Sequence, residues 1–166
     1  MSKVKSMVFI SLLIALEIIF TRFLSIQTPI IRIGFGFIPI SIAGIMFGPS
    51  LAGLCAAIAD LLGMILFPKG AYFPGFTLSA FLSGMIYGKF FYKRNITLSK
   101  IILCVLTISI TIDLFVNTYW LSIITGKAVF ALLVPRIIKT LIMCPVHIII
   151  IYMVYQLLTK SKLILD

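Results

Sequence analysis

Long apolar runs make up most of the chain, and short polar or Pro- and Gly-containing stretches divide them into six segments. A helix needs roughly 20 apolar residues to cross the hydrocarbon of a bilayer, and shorter helices cross where the bilayer is thin. At Gly48-Pro49 almost no connector remains, which favours a tight turn between two short helices over one kinked helix. The pattern predicts membrane spans at roughly 6–27, 34–48, 50–67, 73–92, 99–124 and 130–158.

The composition changes this picture by excluding a soluble protein. Of 166 residues, 62% are hydrophobic, and only four acids stand against fourteen Lys and Arg. A soluble protein of this length needs a polar shell, and these side chains are too few to form one. We therefore expect an all-α integral membrane protein with six transmembrane helices in one compact bundle, a single domain over residues 1–166.

The distribution of Lys and Arg predicts the orientation of this bundle. Six spans place both termini on the same side of the membrane, and an excess of basic residues marks the cytoplasmic side. Eight of the fourteen basic residues fall on one side: Lys3, Lys5, Lys89, Lys93, Arg94, Lys100, Lys160 and Lys162. We expect both termini in the cytoplasm, in a multi-pass protein of the plasma membrane.

Ionisable side chains inside a membrane are costly and are functional by default. In the predicted spans nearly all of them fall in the outer half of the bundle, and the inner half carries little beyond His147. This placement indicates a pocket that opens outward and is closed toward the cytoplasm, since a channel or carrier also lines its inner half. The excess of Arg and Lys favours an anionic ligand, because a guanidinium holds a carboxylate through two hydrogen bonds.

The candidate ligand-binding residues of the spans fall into two chemical groups. The cations that we expect to bind an anionic group are Arg32, Arg136 and Lys139. The side chains that we expect to stack on or hydrogen-bond a flat heteroaromatic ring are Asp113, Asn117 and Trp120.

Plainer interpretations of the same residues stay open. Any single outer-half charge can reach the membrane interface, and Asp60 and Asp113 can be salt-bridge partners that hold helices together. Trp120 can belong to an aromatic belt at the interface. His147 has no Cys, Asp or Glu at metal-ligand spacing, so a packed histidine is favoured and no metal site is predicted.

The stretch around the start of the fourth span combines two patterns. The connector FPKGAYFPGF alternates Pro and Gly with aromatic residues, which is typical of a structured loop over a pocket mouth, although an ordinary extracellular loop is the alternative. The loop residues expected to contact a ligand are Tyr72, Phe73 and Phe76. Farther along, Ala80, Gly84 and Gly88 recur every four residues, a spacing that lets membrane helices approach closely.

The first span carries a pair of small residues, Ser11 and Ala15, in its cytoplasmic half. Small residues one turn apart can form a docking face for another membrane helix. At roughly 100° per residue, Arg22 lies on the same stripe and Glu17 points nearly opposite. A docking role for the pair therefore conflicts with an inward-facing Arg22 unless the helix bends.

Three stretches of the sequence resemble the S components, the substrate-capture subunits, of energy-coupling factor (ECF) vitamin transporters. Met46 to Gly63, MFGPSLAGLCAAIADLLG, is similar to a segment shared by S components with many substrates. Phe67 to Gly88, FPKGAYFPGFTLSAFLSGMIYG, and Arg32 to Ile40, RIGFGFIPI, resemble the folate-specific branch more narrowly. The resemblance covers essentially the whole chain.

The resemblance implies a function and a set of partners. An S component captures a vitamin from outside, docks onto a transmembrane coupling subunit carried by two ATPases, and releases its cargo inward after toppling in the membrane. Ser11 and Ala15 match the family's docking motif of two alanines four apart, with one alanine replaced by serine. Asp60 lies in the segment shared by branches with different ligands, which favours a structural role for it.

Folate fits the charge pattern, because it combines a flat pterin of donors and acceptors with a glutamyl tail of two carboxylates. The expected partners are thus folate, the ECF module and the lipid bilayer, with no cofactor and no nucleic acid. Alternatives are an S component for another vitamin, a small membrane enzyme or an assembly protein. The enzyme is disfavoured because the sequence has no H-E-x-x-H, no G-x-S-x-G and no acid cluster. It has no P-loop either, so ATP would be bound by partners.

Overall fold

The computed structural model describes residues 3–27, 30–68 and 72–161, and this part of the chain is largely helical. The elements of its first half are α1 (Lys3–Arg22), β1 (Ser25–Gln27), β2 (Arg32–Gly34), α2 (Phe37–Phe47), α3 (Pro49–Leu66) and α4 (Pro74–Phe91). A continuous helix, Leu98–Thr125, follows and consists of α5 (Leu98–Thr107), a π-helical segment (Ile108–Val116) and α6 (Asn117–Thr125). The last helix is α7 (Val129–Lys160).

The helices confirm an all-α protein suited to a membrane. Four helices of the described part are long and apolar enough to cross a bilayer: α1, α3, the 98–125 helix and α7. The apolar helix α2 has only 11 residues, and α4 has 18 residues with several Gly, Ser and Thr among them. The six helical segments of the described residues follow the six predicted spans in order. The side of the membrane on which the termini lie stays a prediction.

The end of the first span differs from the prediction. Helix α1 ends at Arg22 rather than at residue 27, and Ser25–Gln27 pairs antiparallel with Arg32–Gly34. Ile26 lies opposite Ile33 in this hairpin. The strand satisfies its backbone hydrogen bonds across the hairpin, and an apolar periodicity along one segment carries no information about such a partner.

The predicted turn between the second and third spans is confirmed. Gly48 has φ of +85°, in the left-handed region that suits glycine, and Pro49 follows as the first residue of α3. Proline is favoured there because its missing N–H would have no partner in the first helical turn. Two short helices therefore reverse direction with a single residue between them.

Glycines bring α3 and α4 into backbone contact. A Cβ on Gly84 would lie 2.7 Å from the carbonyl carbon of Ala52 and 2.8 Å from the nitrogen of Gly53. A Cβ on Gly44 of α2 would lie 2.9 Å from the nitrogen of Gly88. The small residues predicted to pack α4 do so against two neighbouring helices at once.

Two apolar clusters hold the bundle together. The larger one joins α2, α4, α5, the π-helical segment and α7 through residues such as Tyr87, Phe91, Ile101 and Ile151. The smaller one joins α1, α2 and α3 around Leu13 and Cys55. At one end of the molecule these two units leave a space between them, and the candidate site lies in that space.

Candidate functional site

One end of the bundle contains a cavity of about 530 Å³. It is bounded by the second halves of α1 and α3, the first turn of α2, most of α4, the 98–125 helix from Ile108 outward and the part of α7 up to His147. Residues of the β1–β2 hairpin region, Ile30, Ile31 and Gly34, line it as well. This volume falls within the roughly 300–1,000 Å³ typical of small-molecule sites. The predicted site residues that line it are Tyr72, Phe73, Phe76, Asp113, Asn117, Arg136 and Lys139.

Asp113 is the centre of a polar cluster in this cavity. Asn117 donates from Nδ2 to Oδ1 of Asp113 at 3.3 Å, and Nζ of Lys139 lies 4.0 Å from Oδ2. Arg136 donates from Nη2 to the backbone carbonyl of Asp113 at 2.9 Å. Four residues chosen from the sequence on depth and chemistry thus meet in one place, with one more positive than negative charge among them.

The backbone at Asp113 is π-helical, from Ile108 to Val116. In a π-helix each N–H bonds to the carbonyl five residues earlier, and such segments are frequent at functional sites. The Asp113 carbonyl accepts hydrogen bonds from two side chains, Arg136 on α7 and Thr118 Oγ1 at 3.5 Å. The irregular segment therefore positions Arg136 across the helix–helix boundary.

Asn117 lines the cavity and carries a buried acceptor without a partner among the described residues. A carboxylate only accepts hydrogen bonds, so the amide nitrogen must face Asp113 and the amide oxygen points elsewhere. That oxygen, Oδ1, is buried and has no hydrogen-bond partner among the described residues. A buried acceptor of this kind is costly when empty and favours a ligand that carries N–H donors.

Aromatic residues form the wall near the cavity mouth. Phe73 and Phe76 contact each other edge to face, with ring centroids 6.3 Å apart, and Tyr72 beside them is half exposed. Trp120 does not line the cavity; its ring lies 5.5 Å from that of Phe73. Its indole N–H donates to Ser79 Oγ at 3.2 Å. Trp120 therefore supports two residues that line the cavity, Phe73 and Ser79, from the side facing away from the cavity.

Two parts of the predicted site lie at least partly outside the described residues: Arg32 and the middle of the covering loop. The backbone of Arg32 lies in β2, but its side chain lies outside the described part of the chain. Residues 69–71 of the loop also lie outside the described residues. Arg32 and the cover over the pocket mouth stay predictions.

Asp60 ties three helices together. Its Oδ1 lies 3.6 Å from Nη2 of the buried Arg22, and Thr77 donates to its Oδ2 at 2.8 Å. Gly63 leaves the space for the guanidinium, since a Cβ there would lie 2.8 Å from Nε of Arg22. Asp60 also lines the cavity, but its hydrogen bonds are directed at α1 and α4, which favours the structural interpretation.

Several lining residues were not among the candidates. Four polar residues line the cavity although no site role is predicted for them: Glu17, Ser79, Ser83 and His147. Glu17 was detectable, because a buried acid in an apolar helix is functional by default. The two serines were not, since small hydroxyl residues in a membrane helix also indicate close packing. His147 packs on Phe37 at a ring distance of 3.9 Å, as the packing interpretation predicted, and still reaches the cavity.

The predicted docking pair lies away from the cavity. Ser11 and Ala15 are exposed on α1, while Arg22, on the same stripe, is 2% exposed. The apparent conflict between them disappears because neighbouring helices surround α1 only near its outer end. The Ser11 hydroxyl donates to the carbonyl of Met7 at 3.0 Å, so it needs no hydrogen-bond acceptor on a partner helix.

Known proteins similar to this chain agree on one family. The sequence profile described as "ECF transporter, substrate-specific component" matches residues 5–155. A protein named "Folate transporter FolT" from Clostridium novyi (strain NT) is 53% identical over 163 residues, which is 98% of this chain and 95% of that protein. A second protein of the same name, from Leuconostoc mesenteroides subsp. mesenteroides, is 30% identical over 150 residues, covering 87% and 80%. A solved structure titled "Crystal structure of FolT bound with folic acid" matches with a TM-score of 0.86 and 45% identity, over 89% of this chain and 90% of that one.

Proposed function

Because this chain belongs to the family of ECF transporter substrate-specific components, we propose that it captures folate from outside the cell as the binding subunit of an ATP-driven importer. The family and its named members are transporters, so the chain is not an enzyme. Folate is supported by the names of two relatives and by the ligand of the similar solved structure. Within this chain, the observation that carries the proposal is the cavity in which the Asp113 cluster lies beyond an aromatic mouth.

The Asp113 cluster meets one end of the ligand rather than both. Its four side chains all gather around one residue, whereas the pterin and the carboxylates of folate lie at opposite ends of an elongated molecule. The 98–125 helix continues for twelve residues beyond Asp113, roughly 18 Å at 1.5 Å per residue, so the cluster is deep. A ligand that enters through the mouth reaches the cluster with its leading end.

The chemistry of the cluster suits the pterin ring. Arg136 and Lys139 offer donors, and Asn117 and Asp113 offer acceptors, which matches a ring edge where N–H groups alternate with oxygen and nitrogen acceptors. The glutamyl tail then points toward the mouth, where Arg32 is the expected cation. This proposal keeps Arg136 and Lys139 in the site and changes the part of folate that they bind.

The first experiment is calorimetric titration of the purified chain, without partners, against folate, reduced folates, thiamin, riboflavin and biotin. We expect tight one-to-one binding of a folate alone. Binding of another vitamin would replace folate in the proposal and keep the family. A folded sample that binds none of them would contradict ligand capture by the isolated chain.

Pteroate, which lacks the glutamate, tests which end of folate meets the cluster. If Arg136 binds the ring, Arg136→Ala weakens folate and pteroate by the same factor, about tenfold or more for a hydrogen bond to a charged group. If it binds the tail, folate loses more affinity than pteroate, which keeps only the benzoate carboxylate. Lys127→Ala is the matched control, because Lys127 is exposed and lies outside the cavity.

Release into the cell would depend on an ECF module. In this proposal Ser11 and Ala15 contact the transmembrane coupling subunit, two ATPases supply the energy, and toppling carries the cavity mouth toward the cytoplasm. Ala15→Trp should preserve folate binding and abolish uptake into cells that contain the module. Leu103→Trp is the control, because Leu103 is an exposed apolar residue of a different helix, α5, and lies outside the cavity. Uptake by the Ala15 variant at the normal rate would place the docking face elsewhere.

The orientation is part of the same proposal. Outward capture requires the cavity mouth on the extracellular side of the plasma membrane and both termini in the cytoplasm. A single reporter cysteine tests this, for example Ser122→Cys beside the mouth or Ser99→Cys near the opposite end, in a background with the three native cysteines replaced. An impermeant thiol reagent added to intact cells should label only the first variant.

A further inference from the structure

A second, smaller cleft lies at the end of the bundle opposite the folate cavity. Its volume is about 230 Å³, and it lies between the connector at residues 93–96 and the last turns of α2, α4 and α7. The residues at its mouth are Lys93, Arg94 and Asn95, with Thr159 on the α7 side. Nothing in the proposed capture of folate uses this cleft.

The mouth of the cleft carries positive charge, and none of the acids that the structure describes lies beside it. Lys93 and Arg94 are both exposed at the cleft mouth, and Nζ of Lys93 lies 5.2 Å from the ring centroid of Tyr92. The acids of the described part, Glu17, Asp60 and Asp113, all line the cavity at the other end. The charge of the cleft is therefore available to an external anion.

The connector that carries these cations has a defined shape. Lys100 donates from Nζ to the backbone carbonyl of Asn95 at 2.7 Å, and Arg94 donates from its backbone N–H to the carbonyl of Phe91 at 3.3 Å. Lys93 has φ of +50°, a conformation uncommon for a residue with a side chain. The backbone thus holds two consecutive basic residues at one place rather than along an extended tail.

The floor of the cleft is apolar. Ile45, Phe91 and Ile96 line it and are each less than a tenth exposed, and Tyr155 of α7 adds an aromatic side. A polar, cationic mouth over an apolar floor, at the ends of membrane helices, matches the boundary between lipid headgroups and acyl chains. Basic pockets between helices at this level bind the headgroups of anionic lipids.

We propose that this cleft binds the phosphate of an anionic phospholipid headgroup, with Lys93 and Arg94 as its cationic ligands and the apolar floor against the glycerol and the start of an acyl chain. A lipid rather than free phosphate is the occupant, because inorganic phosphate gains nothing from Ile45 and Phe91 and the surrounding bilayer supplies lipid at high local concentration. The proposed lipid site is formed by this chain alone, and the proposal holds whether or not the transported ligand is folate.

Native mass spectrometry of the purified chain in detergent tests the proposal, with phosphatidylglycerol and phosphatidylcholine as the added lipids. We expect one phosphatidylglycerol to bind preferentially. The double variant Lys93→Gln/Arg94→Gln should bind it about 30-fold more weakly, since each basic side chain near an anionic surface contributes a factor of roughly five. Phosphatidylcholine carries the same phosphate beside a cationic choline, so it should bind more weakly from the start and lose a smaller factor in the double variant.

The control removes the same charge from the same end of the molecule. Lys89 and Lys160 are exposed and lie outside the cleft, so Lys89→Gln/Lys160→Gln should keep the preference for phosphatidylglycerol. If both double variants lost affinity for phosphatidylglycerol equally, general surface charge would explain the binding, and the proposal would be overturned. Equal retention of both lipids by the unmodified chain would also overturn it, as would displacement of the bound lipid by millimolar inorganic phosphate. Should the first double variant fail to fold, the single variant Arg94→Gln should weaken phosphatidylglycerol about fivefold.

Discussion

The contact between α3 and α4 predicts that the smallest possible side chain at Gly84 destabilises the protein. A Cβ there meets backbone atoms of Ala52 and Gly53 at 2.7–2.8 Å, roughly 0.7 Å short of the 3.4 Å at which ordinary van der Waals contact begins. Backbone atoms of a helix cannot rotate aside, so the two helices must separate. Overpacking of this kind costs about 1–3 kcal/mol, and the better helix propensity of alanine returns up to about 1 kcal/mol.

We therefore expect Gly84→Ala to lose about 1–2 kcal/mol, which lowers the melting temperature by about 2–8 °C for a chain of this size. Thermal unfolding of the purified protein in one detergent measures it. Gly53→Ala is the matched control at the same interface, because the atoms nearest its Cβ belong to the side chains of Met85 and Phe81, at 3.0 Å, and side chains can move. Equal melting temperatures for the two variants would refute the argument that backbone contact sets the cost.

Three further predictions concern the cavity. Asp60→Asn keeps the shape but removes the charge opposite the buried Arg22, so it should lose about 3 kcal/mol of stability in thermal unfolding, and an unchanged melting temperature would contradict the structural role of Asp60. Asn117→Ala removes the unused acceptor and should weaken folate about tenfold in calorimetry without lowering the melting temperature; unchanged affinity would exclude Asn117 from the site. Trp120→Phe removes the donor to Ser79 and should weaken folate about two- to tenfold, and full affinity would show that the indole N–H has no part in positioning the wall.

The fold was largely predictable because the solvent of most of the surface is lipid. Apolar runs in such a chain indicate helices with little ambiguity, since a backbone in hydrocarbon must satisfy its own hydrogen bonds. The hairpin was not predictable from the apolar run of the first span, because the pairing of Ser25 with Gly34 depends on a second segment nine residues farther along the chain. The π-helical segment was missed for a related reason: its sequence, ISITIDLFV, has no residue that marks the change of hydrogen-bond pattern.

Depth within the predicted helices was enough to identify the cluster around Asp113. The predicted helices show which ionisable residues lie at the same depth in the membrane. In a small bundle, residues at the same depth contact each other if their side chains face inward. The direction in which a side chain faces was the missing information for Trp120, which lies behind the cavity wall. Glu17 was detectable without it, as an acid within an apolar helix. An angle of 100° per residue tells which residues of one helix share a face. It does not tell which part of that face other helices cover: Ala15 and Arg22 share a face, yet Ala15 is exposed and Arg22 is buried.

The two sides of the cavity differ in mechanical stiffness. On one side, glycines lock α3 and α4 together through backbone contacts, and no small shift relieves them. On the other side, the 98–125 helix carries a π-helical segment, and α7 contains Pro135 and Pro145, each of which lacks the N–H of a helical hydrogen bond. Thermal fluctuations that widen the cavity should therefore concentrate in the second pair of helices. A ligand would enter by displacing one compliant wall against a fixed one, and the amide protons of Ile108–Val116 would exchange with solvent deuterium faster than those of α3.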